Sequence, residues 1–421
     1  MLEDAGTISE VASTATQDEP LITNTEPFLI SDVIGHICNF LVTKYIKKCR
    51  LVSRSWNYGA TPVLKSRSKI DILLYPEEDD GDDVKAWFRS KIVPKLNFNP
   101  VKMNLKIPNR SEYYPLKFDF SILPPTTTLK SINVLCPCDE VFSSQRKFCK
   151  MLVLASSTTL EKLSFEFAHV RDFVALKGTI FPKLTSLKTE DLENWDSGDK
   201  SVEQFVQTIT TSSLMSLLLI GECNSVRMEC LLEIPASLNK LFFRPYLKID
   251  DRVDELPTIF YKLLKKHSST LQDLIIITSW KGEEKEMEWK FPIFPVMKRF
   301  ILLSNHVFEK SVFEINFGNF GPIDYNVCFP VLVIFHISNR MHELSSVAAF
   351  LPGEDKCATM PSLRDVDFNI LTDVPTAGEQ LLQARLYVEM LDLFPHAKDS
   401  IMKKLKALLL KDLSIKFGIA S

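Results

Sequence analysis

The chain has 421 residues, 45% of them hydrophobic, and a formal net charge of −3 at pH 7. Because 50 basic residues nearly balance 53 acidic ones, composition gives no field of one sign that would attract nucleic acid or an anionic membrane. Nine cysteines, an odd number without framework spacing, favour free thiols in a reducing compartment over disulfides. We therefore expect a cytoplasmic or nuclear protein with no nucleic-acid or membrane partner.

The N-terminal segment, residues 1–26, predicts a disordered lead because it is rich in Thr, Ser, Glu, Asp and Ala and has few bulky apolar groups. It is acidic and lacks a basic stretch followed by an apolar one, so a secretory signal is not expected. The longest apolar run, residues 327–337, is shorter than the roughly 20 residues of a membrane-spanning helix.

Residues 27–68 are predicted to form a small helical domain. Apolar residues recur every three or four positions in its first helix and are expected to share one face; they are Val33, Ile34, Ile37, Cys38 and Leu41. A second, basic helix repeats this spacing at Ile46, Cys49 and Val52, and Trp56 follows. A domain of roughly 40 residues without disulfides or a metal rarely buries enough apolar surface to be stable alone. We expect a partner to complete part of that surface.

Eleven residues of this domain follow a fixed order along the chain: Leu29, Asp32, Val33, Ile34, Ile37, Phe40, Leu41, Leu51, Val52, Ser53 and Trp56. This order resembles the pattern of the F-box family. The family pattern opens with Leu-Pro, continues with an acidic residue, two apolar residues, isoleucine and Phe-Leu, and closes with Leu-Val-Ser or Leu-Val-Cys and tryptophan. The sequence departs from the pattern at Ile30, where the family usually has proline, and at Val42 and Thr43, which replace Asp-Pro.

The resemblance implies a three-helix fold that docks on a Skp-family adaptor and, through the adaptor, on a cullin. The residues that it marks for docking, or for supporting the docking surface, are Leu29, Ile30, Ile34, Ile37, Leu41, Ile46, Val52 and Trp56. One alternative stays open. The same helices are expected if the domain only caps the first repeat of the array that follows.

Residues 69–376 carry a repeated motif in which an apolar residue is followed by two more, three and five positions later, except that the copy at Leu184 ends in Thr189. Nine copies begin at Leu129, Leu160, Leu184, Leu214, Leu238, Leu271, Met297, Leu332 and Leu363. Their spacing of 24 to 35 residues is near or above that of leucine-rich repeats. Alternating apolar residues at 70–74 and 103–107 predict one or two irregular repeats before the regular ones.

The motif has a physical reason, since side chains two positions apart lie on the same face of a strand. One strand cannot bury that face alone, so stacked copies make a continuous core. Apolar helical stretches precede several strands, at residues 148–154, 202–209 and 259–264. The sequence therefore predicts an α/β repeat fold: a curved leucine-rich-repeat solenoid with parallel strands and with helices on the convex side.

Two further patterns concern the ends of repeats and of the chain. Phe-Pro pairs at residues 181–182, 291–292 and 329–330 precede strands. Their proline is expected to stop the preceding segment and to favour extended geometry in its neighbour, without a role in chemistry. Amphipathic helices at residues 379–394 and 401–415 predict a helical C-terminal cap over residues 377–421.

If the motif residues point inward, the residues between them line the concave face. In the central repeats we expect these to bind a target protein: Leu218, Ile220, Phe242, Arg244, Ile275, Ile277, Ile301 and Leu303. Polar residues flank them on both sides, namely Ser164, Glu166, Lys188, His336, Asp367 and Asn369. An apolar band with polar ends is typical of a protein-binding site. Strands buried on both faces would give the same pattern.

No motif predicts a catalytic residue, a cofactor or a metal. The acidic run at residues 77–83 lacks ligands at the first and last positions of a calcium loop. Cys136 and Cys138 lack the second ligand pair of a zinc site. His342 and Glu343 begin a metalloprotease motif, but Ser346 stands in place of its second histidine.

The resemblance and the repeats together favour a non-catalytic substrate receptor of a Skp/cullin/F-box ubiquitin ligase, whose repeats hold an unknown target protein. The alternative is a leucine-rich-repeat scaffold that is not coupled to ubiquitination. A repeat-containing enzyme is a third hypothesis, which would require a polar pocket with converging titratable groups.

Overall fold

The structure is a computed structural model, and the chain divides into two compact units, Met1–Ser68 and Lys69–Ser421. The residues that it describes are 26–67, 69–74, 88–97, 101–107, 129–135, 143–166, 176, 178–189, 206–210, 213–223, 225–235, 237–248, 255–281, 287–304, 313–316, 323–339, 350–351, 360–370 and 375–417. Residues 1–25 of the predicted disordered lead lie outside them, and Glu26 instead begins the first helix.

The N-terminal unit contains three helices, α1 (Glu26–Asn39), α2 (Thr43–Cys49) and α3 (Arg54–Arg67). Its core consists of Ile34, Cys38, Ile46, Ala60, Val63 and Leu64, against which Leu41, Cys49 and Trp56 pack. Ser53 caps α3, because its hydroxyl accepts a hydrogen bond from the Trp56 amide at 3.3 Å. The guanidinium of Arg67 donates to the backbone carbonyl of Asn39, the last residue of α1, and to that of Leu41 in the turn that follows.

Helices α1 and α3 approach each other closely at Gly59. A Cβ added at this position would lie 2.5 Å from the carbonyl oxygen of Ser31 and 2.7 Å from the Cβ of Ile34. Neither of these atoms can swing away as the end of a long side chain could. Any larger residue at position 59 would therefore force the two helices apart.

The second unit is built on one parallel sheet of eleven strands that follow each other in chain order. They are β1 (Lys69–Leu73), β2 (Lys102–Lys106), β3 (Ser131–Leu135), β4 (Lys162–Glu166), β5 (Ser186–Thr189), β6 (Ser216–Cys223), β7 (Lys240–Lys248), β8 (Asp273–Lys281), β10 (Arg299–Ser304), β12 (Ile334–Asn339) and β13 (Asp365–Asn369). The remaining strands, β9 (Met287–Lys290) and β11 (Phe313–Asn316), pair in a separate parallel sheet.

Helices lie between the strands and after the last one. They are α4 (Val93–Asn97), which continues a π-helical turn at Phe88–Ile92, α5 (Ser143–Ala155), α6 (Ser225–Leu232), α7 (Leu256–His267), α8 (Tyr325–Cys328), α9 (Ala377–Leu393) and α10 (Lys398–Phe417), with a 3₁₀ turn at Pro395–Ala397. The predicted stretches 148–154 and 259–264 fall within α5 and α7. Of the third stretch, residues 206–209 are helical and 202–205 lie outside the described residues.

The predicted α/β fold with a parallel sheet is confirmed. All nine motif copies, and the two irregular repeats before them, contribute a strand to the large sheet. The first residue of each regular copy is at most 1% exposed, as inward-pointing motif residues require. These side chains belong to one continuous core.

Aromatic residues contribute more to this core than the sequence analysis predicts. Phe181, Phe291 and Phe329, each of which precedes a proline, are at most 2% exposed. The Phe-Pro pairs thus also contribute side chains to the core, which the sequence pattern did not predict. Strand β9 is also unpredicted, and its Trp289 packs edge-on against Phe260 of α7 with ring centres 5.0 Å apart.

Polar side chains link neighbouring repeats. A hydroxyl just before the motif donates to the backbone carbonyl of the first motif residue in the preceding repeat: Thr159 to Leu129, Thr270 to Leu238 and Ser362 to Leu332, at distances between 2.8 and 2.9 Å. The buried ring of His267 accepts a hydrogen bond at Nδ1 from the Leu238 amide at 3.3 Å. These bonds fix the stacking of one repeat on the next.

Helices α9 and α10 cover the edge of β13. The side chain of Gln383 is fully buried, accepts from the Ile370 amide at 2.9 Å and donates to the Phe368 carbonyl at 2.6 Å. The Nζ of Lys404 donates to the Val366 carbonyl at 2.8 Å. These side chains occupy backbone groups of the edge strand that would otherwise be open to pairing with another chain.

Candidate protein-binding surfaces

The apolar residues of α1 lie on two faces, which corrects the prediction of a single one. Ile34, Cys38 and Leu41 face the core of the N-terminal unit. Val33 and Ile37 are 58% and 43% exposed. The physical reason is that neighbouring residues on a helix lie about 100° apart, so positions 33 and 37 share one face and positions 34 and 38 another. Leu41 lies beyond the end of α1.

Large apolar side chains are exposed on the described helices of the N-terminal unit and in the turns between them. We call these residues the N-terminal apolar set: Ile30, Val33, Ile37, Phe40, Val42, Tyr45, Leu51, Val52 and Tyr58. The most exposed are Leu51 at 86% and Phe40 at 80%. These two residues match the F-box pattern but were not among the predicted docking residues. Their position in that pattern was the signal that could have identified them.

The predicted adaptor-binding residues divide into exposed and supporting ones. Ile30, Ile37 and Val52 are exposed and belong to the N-terminal apolar set. Ile34 and Ile46 are buried, so their role in docking is indirect, and Leu41 and Trp56 pack partly buried against the same core. Leu29 lies in α1, but its side chain is outside the described residues.

The helical part of the N-terminal unit is basic. Residues 26–67 include seven lysines and arginines but only two acidic residues. Lys44, Lys47 and Lys48 of α2 are all exposed. A partner that covers the N-terminal apolar set therefore gains attraction if its own surface is acidic.

The face of the large sheet that is turned away from the core is called the outer face. Strand register aligns its residues in rows that run across the strands. One row places Leu218, Phe242, Ile275 and Ile301 side by side on β6, β7, β8 and β10. Two residues further along the strands, Ile220 lies opposite Arg244, and Ile277 lies opposite Leu303. The structure thus brings all eight predicted target-binding residues together.

These eight residues, which we call the central band, are partly exposed. Side chains that stand side by side on an uncovered sheet face are expected to shield one another in part. Strands covered on both faces, the alternative in the sequence analysis, would bury these side chains fully.

Polar side chains flank the central band on both sides, as predicted. On one side Lys188 pairs with Glu166 at 3.0 Å. On the other, His336 contacts Asp365 at 2.8 Å and Tyr387 donates to Asp367 at 2.9 Å. Partial burial of Asp365 opposes its ionisation, but hydrogen bonds from Lys404, Ser400 and His336 prevail and lower its pKa to about 2. Asp365 is therefore already bound to groups of this chain.

Two observations in the described residues concern metal binding and cysteine reactivity. No group of three His, Cys, Asp or Glu side chains in this part of the chain could hold a metal ion. Burial, together with the neighbouring Cys49, raises the pKa of the Cys38 thiol, which keeps it protonated in the core. The acidic run 77–83, Cys136 with Cys138, and His342 with Glu343 lie outside the described residues.

In the described part of the chain, no helix combines the length and the apolar character that crossing a bilayer requires.

The chain matches no protein-family model, and no curated protein matches it.

Proposed function

We propose that this chain is the substrate-recognition subunit of a Skp/cullin/F-box ubiquitin ligase. The N-terminal unit acts as an F-box that docks on a Skp-family adaptor and thereby on a cullin. The second unit acts as a leucine-rich-repeat solenoid, whose outer face binds the target protein. The F-box resemblance of residues 27–68 and the eleven-stranded repeat sheet support this assignment. The role implies a cytoplasmic or nuclear location.

The observation that carries the proposal is the N-terminal apolar set. Nine large apolar side chains are exposed in a unit whose core holds six buried residues. Exposed large apolar side chains in this number are typical of a protein-binding surface. Because burying one aliphatic side chain is worth roughly 1.5 to 3 kcal/mol, three or four such anchors supply the roughly 8 kcal/mol of a micromolar contact.

The proposed mechanism needs no chemistry from this chain. The adaptor and cullin hold a ubiquitin-loaded enzyme, and the repeats hold the target in the same complex. Tethering raises the effective concentration of target lysines near the enzyme, which converts a rare encounter into an intramolecular one. No cofactor or catalytic residue of this chain is involved.

The proposal is tested with Ile37→Asp combined with Val52→Asp in the full chain. Both side chains are exposed, so the charges are tolerated in the free protein but would be buried without a counter-charge against an adaptor. We expect co-purification with a recombinant Skp-family adaptor to be lost. Leu41→Asp is a poorer test because Leu41 packs against the core of the unit.

A matched control is Ile180→Asp combined with Ile293→Asp. These residues are 53% and 49% exposed and belong to the second unit. The control introduces the same charges on apolar surface far along the chain, and it should retain the adaptor. Retention by both double variants would refute the docking assignment.

The alternative is a leucine-rich-repeat scaffold that binds a protein without recruiting a ligase. The central band favours it as much as the main proposal, since target binding is common to both. The two differ at the N-terminal unit, where Ile30, Val42 and Thr43 depart from the F-box pattern. Under the scaffold hypothesis, the unmodified chain would not bind any Skp-family adaptor.

A further inference from the structure

One row of the outer face crosses the sheet at the beginning of the strands. From β1 to β13 it contains Lys69, Lys102, Ser131, Lys162, Ser186, Ser216, Lys240, Asp273, Arg299, Ile334 and Asp365. From β7 onward its charges compensate one another, because Asp273 lies 3.1 Å from Lys240 and 3.3 Å from Arg299. Over β1 to β4 the row has three lysines and no carboxylate.

We call Lys69, Lys102, Lys106 and Lys162 the basic cluster. All four side chains are exposed, and Lys106 lies on the same face of β2 as Lys102. Within the described residues, none of the four side chains makes a hydrogen bond or ion pair. Lys69 and Lys102 lie directly opposite each other in register, and like charges in that position are destabilising. A bound anion would relieve this repulsion.

Within the described residues, two carboxylates on the strands of the basic cluster already accept hydrogen bonds. Asp71 of β1 accepts a hydrogen bond at 2.5 Å from the Asn104 amide. Glu166 of β4 pairs with Lys188 at 3.0 Å. Because the Asn104 amide is neutral, Asp71 can still offset one of the four lysine charges. Among the described residues the basic cluster therefore retains a net positive charge, in contrast to the balanced half of the same row.

From this contrast we infer that the outer face binds a segment of the target protein that is acidic at one end and apolar at the other. Carboxylates of the segment lie over the basic cluster on β1 to β4, and its apolar side chains lie over the central band on β6 to β10. The inference rests on the proposed role as a target receptor and adds the chemistry and direction of the bound segment.

The sheet also sets the length of that segment. The central strands of the two regions, β2 and β7, are five positions apart in the sheet order, which is about 24 Å at about 4.8 Å per strand. An extended chain covers this distance with about seven residues. The acidic and apolar ends of the segment should therefore be separated by a linker of about that length.

The test uses a fluorescein-labelled synthetic peptide with about six glutamates, a Gly-Ser linker of about seven residues and a Leu-Ser-Leu-Ser-Phe end. Its binding to the full chain is followed by fluorescence anisotropy. The test variant carries Lys69→Gln, Lys102→Gln, Lys106→Gln and Lys162→Gln. The control carries Lys183→Gln, Lys262→Gln, Lys403→Gln and Lys406→Gln, which remove the same charge from four other exposed lysines.

We expect the test variant to bind the peptide at least about tenfold more weakly, and the control to stay within about twofold of the unmodified chain. Added salt should weaken binding to the unmodified chain more than to the test variant. Equal weakening of both variants, or no binding by the unmodified chain, would overturn the inference. So would a single-stranded RNA oligonucleotide that binds more tightly than the peptide.

Co-purification of the same variants with a Skp-family adaptor separates this inference from the proposed function. A lysine variant that keeps the adaptor and loses the peptide supports the inference. Intact peptide binding in that variant contradicts the inference alone, because adaptor docking uses the N-terminal unit. Absence of the adaptor from the unmodified chain contradicts the proposed function alone.

Discussion

Gly59 and Gly378 differ in a way that only the fold explains. A Cβ at Gly59 would meet backbone and Cβ atoms of α1 at 2.5 and 2.7 Å, whereas the nearest atom to a Cβ at Gly378 is the Thr376 hydroxyl at 3.9 Å. We predict that Gly59→Ala destabilises the N-terminal unit by about 1 to 3 kcal/mol. Gly378→Ala should be neutral or slightly stabilising. Faster amide hydrogen exchange in α1 and α3 for the first variant alone would support this. Equal exchange in both variants would contradict it.

His267 is predicted to make stability depend on pH. Burial, with a smaller effect of the neighbouring Lys266 charge, lowers its pKa from 6.5 to about 4. Between these values the unfolded chain binds a proton that the folded chain does not, so stability falls as the pH drops from 6.5 towards 4. The full effect is on the order of 3 kcal/mol for a side chain only 1% exposed.

The measurement compares urea unfolding of the unmodified chain and of His267→Gln at several pH values. Glutamine does not titrate and can still accept the bond from the Leu238 amide. The stability of the unmodified chain relative to the variant should therefore decrease below pH 6.5. A constant difference down to pH 4.5 would show that the proton uptake of His267 does not change on folding.

At the scale of elements, Gln383 of α9 links the C-terminal helices to the backbone at the end of the last strand, β13, through two hydrogen bonds. Replacing it with leucine keeps the volume but leaves the Ile370 amide and the Phe368 carbonyl without their partners. Two buried unpaired groups are expected to cost about 2 to 4 kcal/mol. Gln380→Leu is the matched control, since Gln380 only donates a long bond of 3.4 Å to the Pro375 carbonyl. Hydrogen exchange at Ile370 and a urea titration would test this, and equal effects of the two variants would argue against it.

The elements that could be predicted are the strands whose sequence motif determines both their position in the chain and their register with the neighbouring strands. The motif at Leu238 and the motif at Leu271 place Phe242 opposite Ile275, so the central band followed from the sequence once parallel strands were assumed. Strands β9 and β11 could not be found in this way because they are four residues long and lack the motif. The two faces of α1 were also missed, since apolar residues at adjacent positions leave the inward face ambiguous.

At the scale of the molecule, each unit shows a different limit of sequence reasoning. The parallel order of eleven strands was predictable because one repeated motif buries one side of every strand. The imbalance of charge over β1 to β4 was not, because Lys69, Lys102 and Lys162 are far apart in the sequence and become neighbours only through register. In the N-terminal unit, exposure of Phe40 and Leu51 required the packing of all three helices to be known.

The most direct test of the account is a calorimetric titration of the purified full chain with a purified Skp-family adaptor at several temperatures. The account predicts saturable one-to-one binding with a negative heat-capacity change, because covering the N-terminal apolar set removes apolar surface from water. The Ile37→Asp and Val52→Asp double variant should show no heat of binding. Absence of binding by the unmodified chain, or binding without a negative heat-capacity change, would contradict the account.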